Sequence, residues 1–240
     1  MDAKKILDFL KLVMANNNRE WFHAHKALYD AARHEWEQGI EQALRRIATF
    51  DAETAPIQLK DCLYRFYRDT RFSPDKSPYK NHFGAYINAK GKKALRGGYY
   101  IHLEPGNCLL AVGNYWLPTN VLNACRNEIM ANTEAWLKCV ERKDFKHYFL
   151  SSPNSENPFM GEAKGEDSMG FGLERLKTCP AGFPRDWEHV EWLRLKDYCA
   201  WHGVDEAFFE GDDWLDEMER IFRAAKPMMD FVNAVIDDYE

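Results

Sequence analysis

At 240 residues, 45% hydrophobic and 14% aromatic, the chain can bury a substantial core, and its 29% charged residues keep the surface soluble. A formal net charge of −6 excludes a chain that is basic throughout, and no run approaches the roughly 20 apolar residues that a membrane-spanning helix requires. The six cysteines, at positions 62, 108, 125, 139, 179 and 199, have no two-residue spacing. C-x-x-C zinc or redox chemistry is therefore excluded, and reduced thiols in a cytoplasmic protein are expected.

The chain opens on an amphipathic segment, with Ile6, Phe9, Leu10 and Val13 at helical spacing and Asp8 and Lys11 interrupting any signal-peptide pattern. Asn16-Asn17-Asn18 ends it, and Asn18 is placed to cap a second helix with Glu20 in its first turn. From Trp21 to Ile47 the 3.6-residue rhythm continues as one long helix, with Gly39 as a site of bending. Short runs rich in Tyr, Phe, Val and Ile follow, near 62–67, 82–87, 98–104 and 108–114, and read as strands. Pro74 and Pro78 exclude a central strand between them, so Thr70 to Lys80 reads as a loop, and Pro105-Gly106-Asn107 as a tight turn.

Pro118 or Thr119 starts a helix carrying Leu122, Cys125 and Ile129, and Glu134 to Val140 adds another. Residues 151–172 read as a long loop, and Asp186 as the cap of a helix running to Tyr198. A last helix begins at Asp212 or Asp213, its apolar stripe running from Leu215 to Ile236 with a bend at Pro227. The expected fold is α+β, as one domain over 1–240. It comprises a helical hairpin (1–50), a mainly antiparallel sheet of four or more strands (57–116) and a helical, loop-rich remainder (117–240) packed on the sheet.

The densest chemistry lies in Arg65 to Lys80, R-F-Y-R-D-T-R-F-S-P-D-K-S-P-Y-K. Residues 60–96 carry an excess of seven positive charges in a chain that is acidic overall. Arginines in such a cluster grip phosphate or carboxylate through paired donors, and Asp69 and Asp75 either orient them or bind a metal that a ligand brings. The alternative is an internal network in which Arg65, Arg68 and Arg71 pair with Asp69, Asp75 and the acidic stretch from Asp205 to Glu219. The ligand reading assigns contacts to Arg65, Arg68, Asp69, Arg71, Asp75, Lys76, Tyr79, Lys80 and His82.

Tyr100, His102 and Glu104 alternate with Ile101 and Leu103 and so share one strand face. His102 beside Glu104 is a candidate acid-base pair, which His82 joins if the strand register allows; the alternative is a solvent-facing polar side. His23 and His25, two apart on a helix, face different ways and are no metal pair, and no metal site is expected from motif spacing. No zinc-deaminase, P-loop, H-E-x-x-H or G-x-S-x-G pattern is complete, and Gly170-Phe171-Gly172 is no dinucleotide fingerprint.

Asn17-Asn18-Arg19-Glu20-Trp21-Phe22, Arg68 to Lys80, Gly98-Tyr99-Tyr100 and Pro180-Ala181-Gly182-Phe183 together resemble the bacterial family called domain of unknown function 2461. The resemblance implies no established activity, cofactor or partner. Two function classes stay open. One is a site for a small phosphate- or carboxylate-bearing ligand over the sheet. The other is a non-catalytic module whose basic face, with Tyr64, Phe66, Tyr67 and Phe72 among its cations, meets nucleic acid or an acidic protein. Sequence patterning leaves enzyme status, cofactor and oligomeric state undetermined.

Overall fold

The computed structural model describes residues 1–151, 157–159 and 165–239. The N-terminal helices form as their sequence signals require. Helix α1 (Ala3–Ala15) is capped by the Asp2 carboxylate, which accepts from the Lys5 amide, and it buries Ile6, Leu7, Phe9, Leu10 and Val13. Asn18 caps α2 (Arg19–Ala24) by accepting from the Trp21 amide at 2.9 Å. The expected single helix from Trp21 is broken, because His25 turns its ring back to bond the Trp21 carbonyl at 2.8 Å and stacks on the Trp21 ring. A separate helix, α3, then runs from Lys26 to Ala48 straight through Gly39, where a Cβ would meet the Met1 side chain.

A short helix α4 (Leu59–Cys62) takes the start of the first expected strand. The rest of that stretch makes two isolated bridges, Leu63 with Ala85 and Tyr67 with Tyr79. Among the described residues the sheet has five strands: β1 (Phe83–Ile87), β2 (Gly98–Leu103), β3 (Cys108–Asn114), β4 (Met169–Phe171) and β5 (Tyr198–Val204). Their order is β1-β2-β3-β5-β4, and every pairing is antiparallel.

Two of these strands correct the sequence reading. β4 lies in the stretch taken as loop, residues 152–156 and 160–164 of that loop being outside the described residues. β5 follows the segment from Asp186 to Tyr198, which contains only a one-turn helix, α8 (Val190–Leu193). Tyr198-Cys199-Ala200-Trp201 has no 3.6-residue period, and both its faces are buried, as a strand between two neighbours allows.

Helices α5 (Thr119–Ala131), α6 (Thr133–Val140) and α7 (Lys143–Phe149) lead to the final helix α9 (Trp214–Ile236), which continues through Pro227. α9 packs on β3 and β5, and α3 on β1 and α9. The inner sheet face, with Ala85, Tyr99, Ile101, Leu110, Val112 and Ala200, joins the helices in one large core. Leu109, Ala111, Cys199 and Trp201 form a smaller cluster on the outer face. The result is the expected α+β arrangement, with helices on the inner face and a cleft on the other. Among the described residues no helix is long and apolar enough to cross a membrane.

Candidate functional site

The outer face follows from strand alternation. Phe83 pairs with Leu103 and Gly84 with His102, so His82, one residue before β1, sits beside Glu104. On this face β2 presents Tyr100, His102 and Glu104, the grouping expected from the sequence. It is not a wetted polar side, since the His102 and Glu104 side chains are 2% and 13% exposed.

These residues form one hydrogen-bonded chain. The Tyr100 hydroxyl bonds His102 Nδ1 at 2.8 Å, and His102 Nε2 meets Glu104 Oε2 at 2.9 Å. Asn107 donates to the same carboxylate oxygen at 3.1 Å. Asn81 donates from its amide nitrogen to Glu104 Oε1, and its carbonyl oxygen faces His82 Nδ1 at 3.1 Å. The two imidazole rings lie 4.4 Å apart. Burial pushes His82 down to about 3, with His102 and Lys80 acting in the same direction, so its ring is neutral at neutral pH. Burial also raises Tyr100 far above the ordinary phenol range, which keeps its hydroxyl protonated. Gly84 makes room for that hydroxyl, because a Cβ there would lie 2.7 Å from it.

Tyr100 also walls a cleft of about 330 Å³ over the sheet, shared with Tyr64, Lys80, Tyr86, Ala111, Tyr115, Phe159, Leu173 and Cys199. The Lys80 ammonium sits 5.3 Å from the Tyr64 ring centroid, and burial together with the Arg65 charge lowers its pKa. No carboxylate among the described residues lies within bridging distance of Lys80. Tyr64 and Tyr100 meet edge to face, and burial pushes the Tyr64 phenol up to about 12.

The basic segment therefore divides. Its outer loop pairs with itself. Arg68 bonds Asp75, which also accepts from the Ser77 hydroxyl and amide; Arg71 forks onto Asp69; Arg65 reaches Asp69 at 3.9 Å; and Lys76 donates to the Thr70 carbonyl. The acidic residues Glu206, Asp216 and Glu219 are engaged by Lys11 and Arg46 instead, so the internal-network alternative holds only within the loop. Arg68, Lys76 and Tyr79 line a second, more open hollow of about 630 Å³ with Asn17, Asn18 and Arg19. Tyr79 is otherwise a core residue, its ring stacked 4.0 Å from Phe22. The Asn17 side chain clamps Tyr79 both ways, donating to its carbonyl at 2.9 Å and accepting from its amide at 3.1 Å. Lys80 lines the cleft over the outer sheet face, whereas Arg68 lines the second hollow.

The loop pairing has a titration consequence. Hydrogen bonds from the Arg71 side chain and amide hold Asp69 down at about 2. A carboxylate lowered in this way favours the folded loop above its ordinary value near 4 and loses that contribution as the pH falls through about 2. A carboxyl-carbon NMR titration should therefore place the Asp69 midpoint about two units below that of an unpaired aspartate, and Arg71→Ala should raise it only part of the way back, because the amide at position 71 still donates.

Several residues of this region carry no sequence signal of their own. Asn107 reads as a turn residue, Asn81 falls between the loop and the next expected strand, and Phe159 lies in the stretch taken as loop. Cys199 follows a segment taken as helix, which hides the face it occupies. The Asn17 side chain ties the Asn17–Phe22 segment to the Arg68–Lys80 segment. The family model for DUF2461, a conserved hypothetical protein family, matches residues 5–231. The chain belongs to this family. The matched span holds all four segments that carry the resemblance, the whole sheet and all but the end of α9. No curated protein and no solved structure matches the chain.

Proposed function

We propose that the protein binds a small organic anion in the cleft over the outer sheet face, with its carboxylate or phosphate against Lys80 and its body among Tyr64, Tyr100 and Tyr115. The observation that carries this reading is Lys80 itself, a half-buried cation that no described carboxylate balances. A buried charge without a partner is costly, and an anion entering the cleft removes that cost. The cleft volume suits a small ligand, and its aromatic walls with few polar groups are the usual composition of such a site. His102 and Glu104 lie behind Tyr100, whose hydroxyl links this pair to the cleft.

Thermal unfolding against a panel of nucleotides, sugar phosphates and aromatic carboxylates tests it. A ligand at about 100 times its Kd should stabilise the wild type by about 2.7 kcal/mol. Lys80→Met should abolish that shift, and Arg71→Ala, on the self-paired outer loop, should keep it. An absent shift throughout the panel, or an equal shift in Lys80→Met, contradicts the reading. A macromolecular partner has one observation in its favour: Phe72 is 93% exposed, with the Arg71 guanidinium 5.8 Å from its ring. Under that reading Phe72→Ala, and not Lys80→Met, weakens binding of single-stranded RNA or DNA in a gel shift, with strong salt dependence.

A further inference from the structure

We infer that His82, His102 and Glu104 form a binding site for a divalent first-row transition ion. One potential ligand atom from each lies within 4.8 Å of the others. Two imidazoles and a carboxylate are the donor set of zinc and iron(II) sites that keep open positions. Metal–ligand bonds of roughly 2.0–2.2 Å place ligand atoms about 3.3 Å apart, so the trio draws together by about 1.5 Å at most to hold an ion.

The surroundings are those of a ligand set and not of a chance polar cluster. Metal-bound histidines characteristically donate through their second ring nitrogen, which fixes the tautomer. Asn81 does this for His82. Its NH₂ group is committed to Glu104, so its oxygen faces His82 Nδ1 and holds the proton there. Nε2 is left with its lone pair and no hydrogen-bond partner among the described residues. Tyr100 does it for His102, since its oxygen accepts from Nδ1–H once Nε2 is given to the ion. Glu104 is held at both oxygens, by Asn81 and by Asn107. A further observation points the same way: the Oδ1 atom of Asn107, a residue 4% exposed, accepts no hydrogen bond among the described residues, so a polar acceptor stands unused beside the carboxylate.

Three protein ligands leave at least one position open. Tyr100 and Phe159, which contact the His102 ring, also wall the cleft, so that position adjoins the space assigned to the anion. The metal site does not depend on the anion reading, because Lys80 is not a ligand.

The test is titration of the chelator-stripped full-length protein with Co²⁺, read by its visible d–d absorption and by displacement with Zn²⁺. One equivalent should bind with the spectrum of a four- or five-coordinate ion. His82→Ala, at a partly buried position, and the near-isosteric Glu104→Gln should lose those bands while retaining the wild-type far-ultraviolet circular dichroism. Tyr100→Phe should bind about 10–100-fold more weakly, and Lys80→Met as the wild type does. A chain that takes up neither ion, or that binds equally well in His82→Ala and Glu104→Gln through groups such as the Cys139 and Cys179 thiols, overturns the assignment.

Discussion

Replacing Gly113 by alanine should lower the unfolding free energy by more than about 3 kcal/mol, one of the two largest losses expected of a single substitution in this chain. Gly113 lies in the middle strand of the sheet and on the cleft wall, with φ at +112°. That conformation is close to glycine's alone, and other residues held there cost on the order of 1–3 kcal/mol. A Cβ would also fall 2.0 Å from the Tyr198 carbonyl oxygen of β5. The obstacle is backbone, so relief requires separating β3 from β5, the pairing that carries Cys199 and Ala111 on one face and Tyr198 and Val112 on the other. Urea denaturation should show the midpoint falling with the slope unchanged. A change within about 0.5 kcal/mol would mean that the two strands are not joined as described.

Phe66→Ala should cost about 3–5 kcal/mol, the range for removing a fully packed phenylalanine. Phe66 is 2% exposed and stands at the centre of an aromatic cluster, with Phe9, Phe22, Tyr29, Tyr79 and Phe83 all within 6.0 Å centroid to centroid. Its carbonyl also accepts from the Lys80 amide at 3.0 Å. The substitution therefore removes packing beneath the backbone that aims Lys80 into the cleft, while the carbonyl at position 66 still accepts from the Lys80 amide. Phe66→Leu, which retains most of the buried volume, should lose less stability and keep the ligand-induced thermal shift. If Phe66→Ala retains that shift in full, Lys80 is not positioned through this aromatic packing.

Much of this architecture is legible where one periodicity governs. The stripe from Leu215 to Ile236 gives α9, and the alternation of Tyr100, His102 and Glu104 with Ile101 and Leu103 gives the β2 faces. The Asn18 cap is visible for the same local reason. β5 is not, because a strand buried on both faces and paired on both edges has no alternation to show. The helix break at His25 depends on a ring folding back onto Trp21, which no propensity registers.

The site was half visible for a related reason. His102 and Glu104 share a strand, so spacing brings them together, whereas His82 joins them only through the register of β1 on β2. The cations at 65–80 form a single cluster in sequence. In space the Asp69 and Asp75 turns draw Arg68 and Arg71 into the loop, and the bridge between Tyr67 and Tyr79 sends the chain onward so that Lys80 emerges over the sheet. Charge counting cannot separate a cation satisfied two residues away from one that faces a cleft.

The most direct measurement is a crystal structure of the protein grown with benzoate, a carboxylate on an aromatic body small enough for the cleft. The carboxylate should lie within hydrogen-bonding distance of Lys80 Nζ, with the ring between Tyr64 and Tyr100. An empty cleft at saturating benzoate, with the Lys80 ammonium turned onto one of the protein's own carboxylates, would contradict the account.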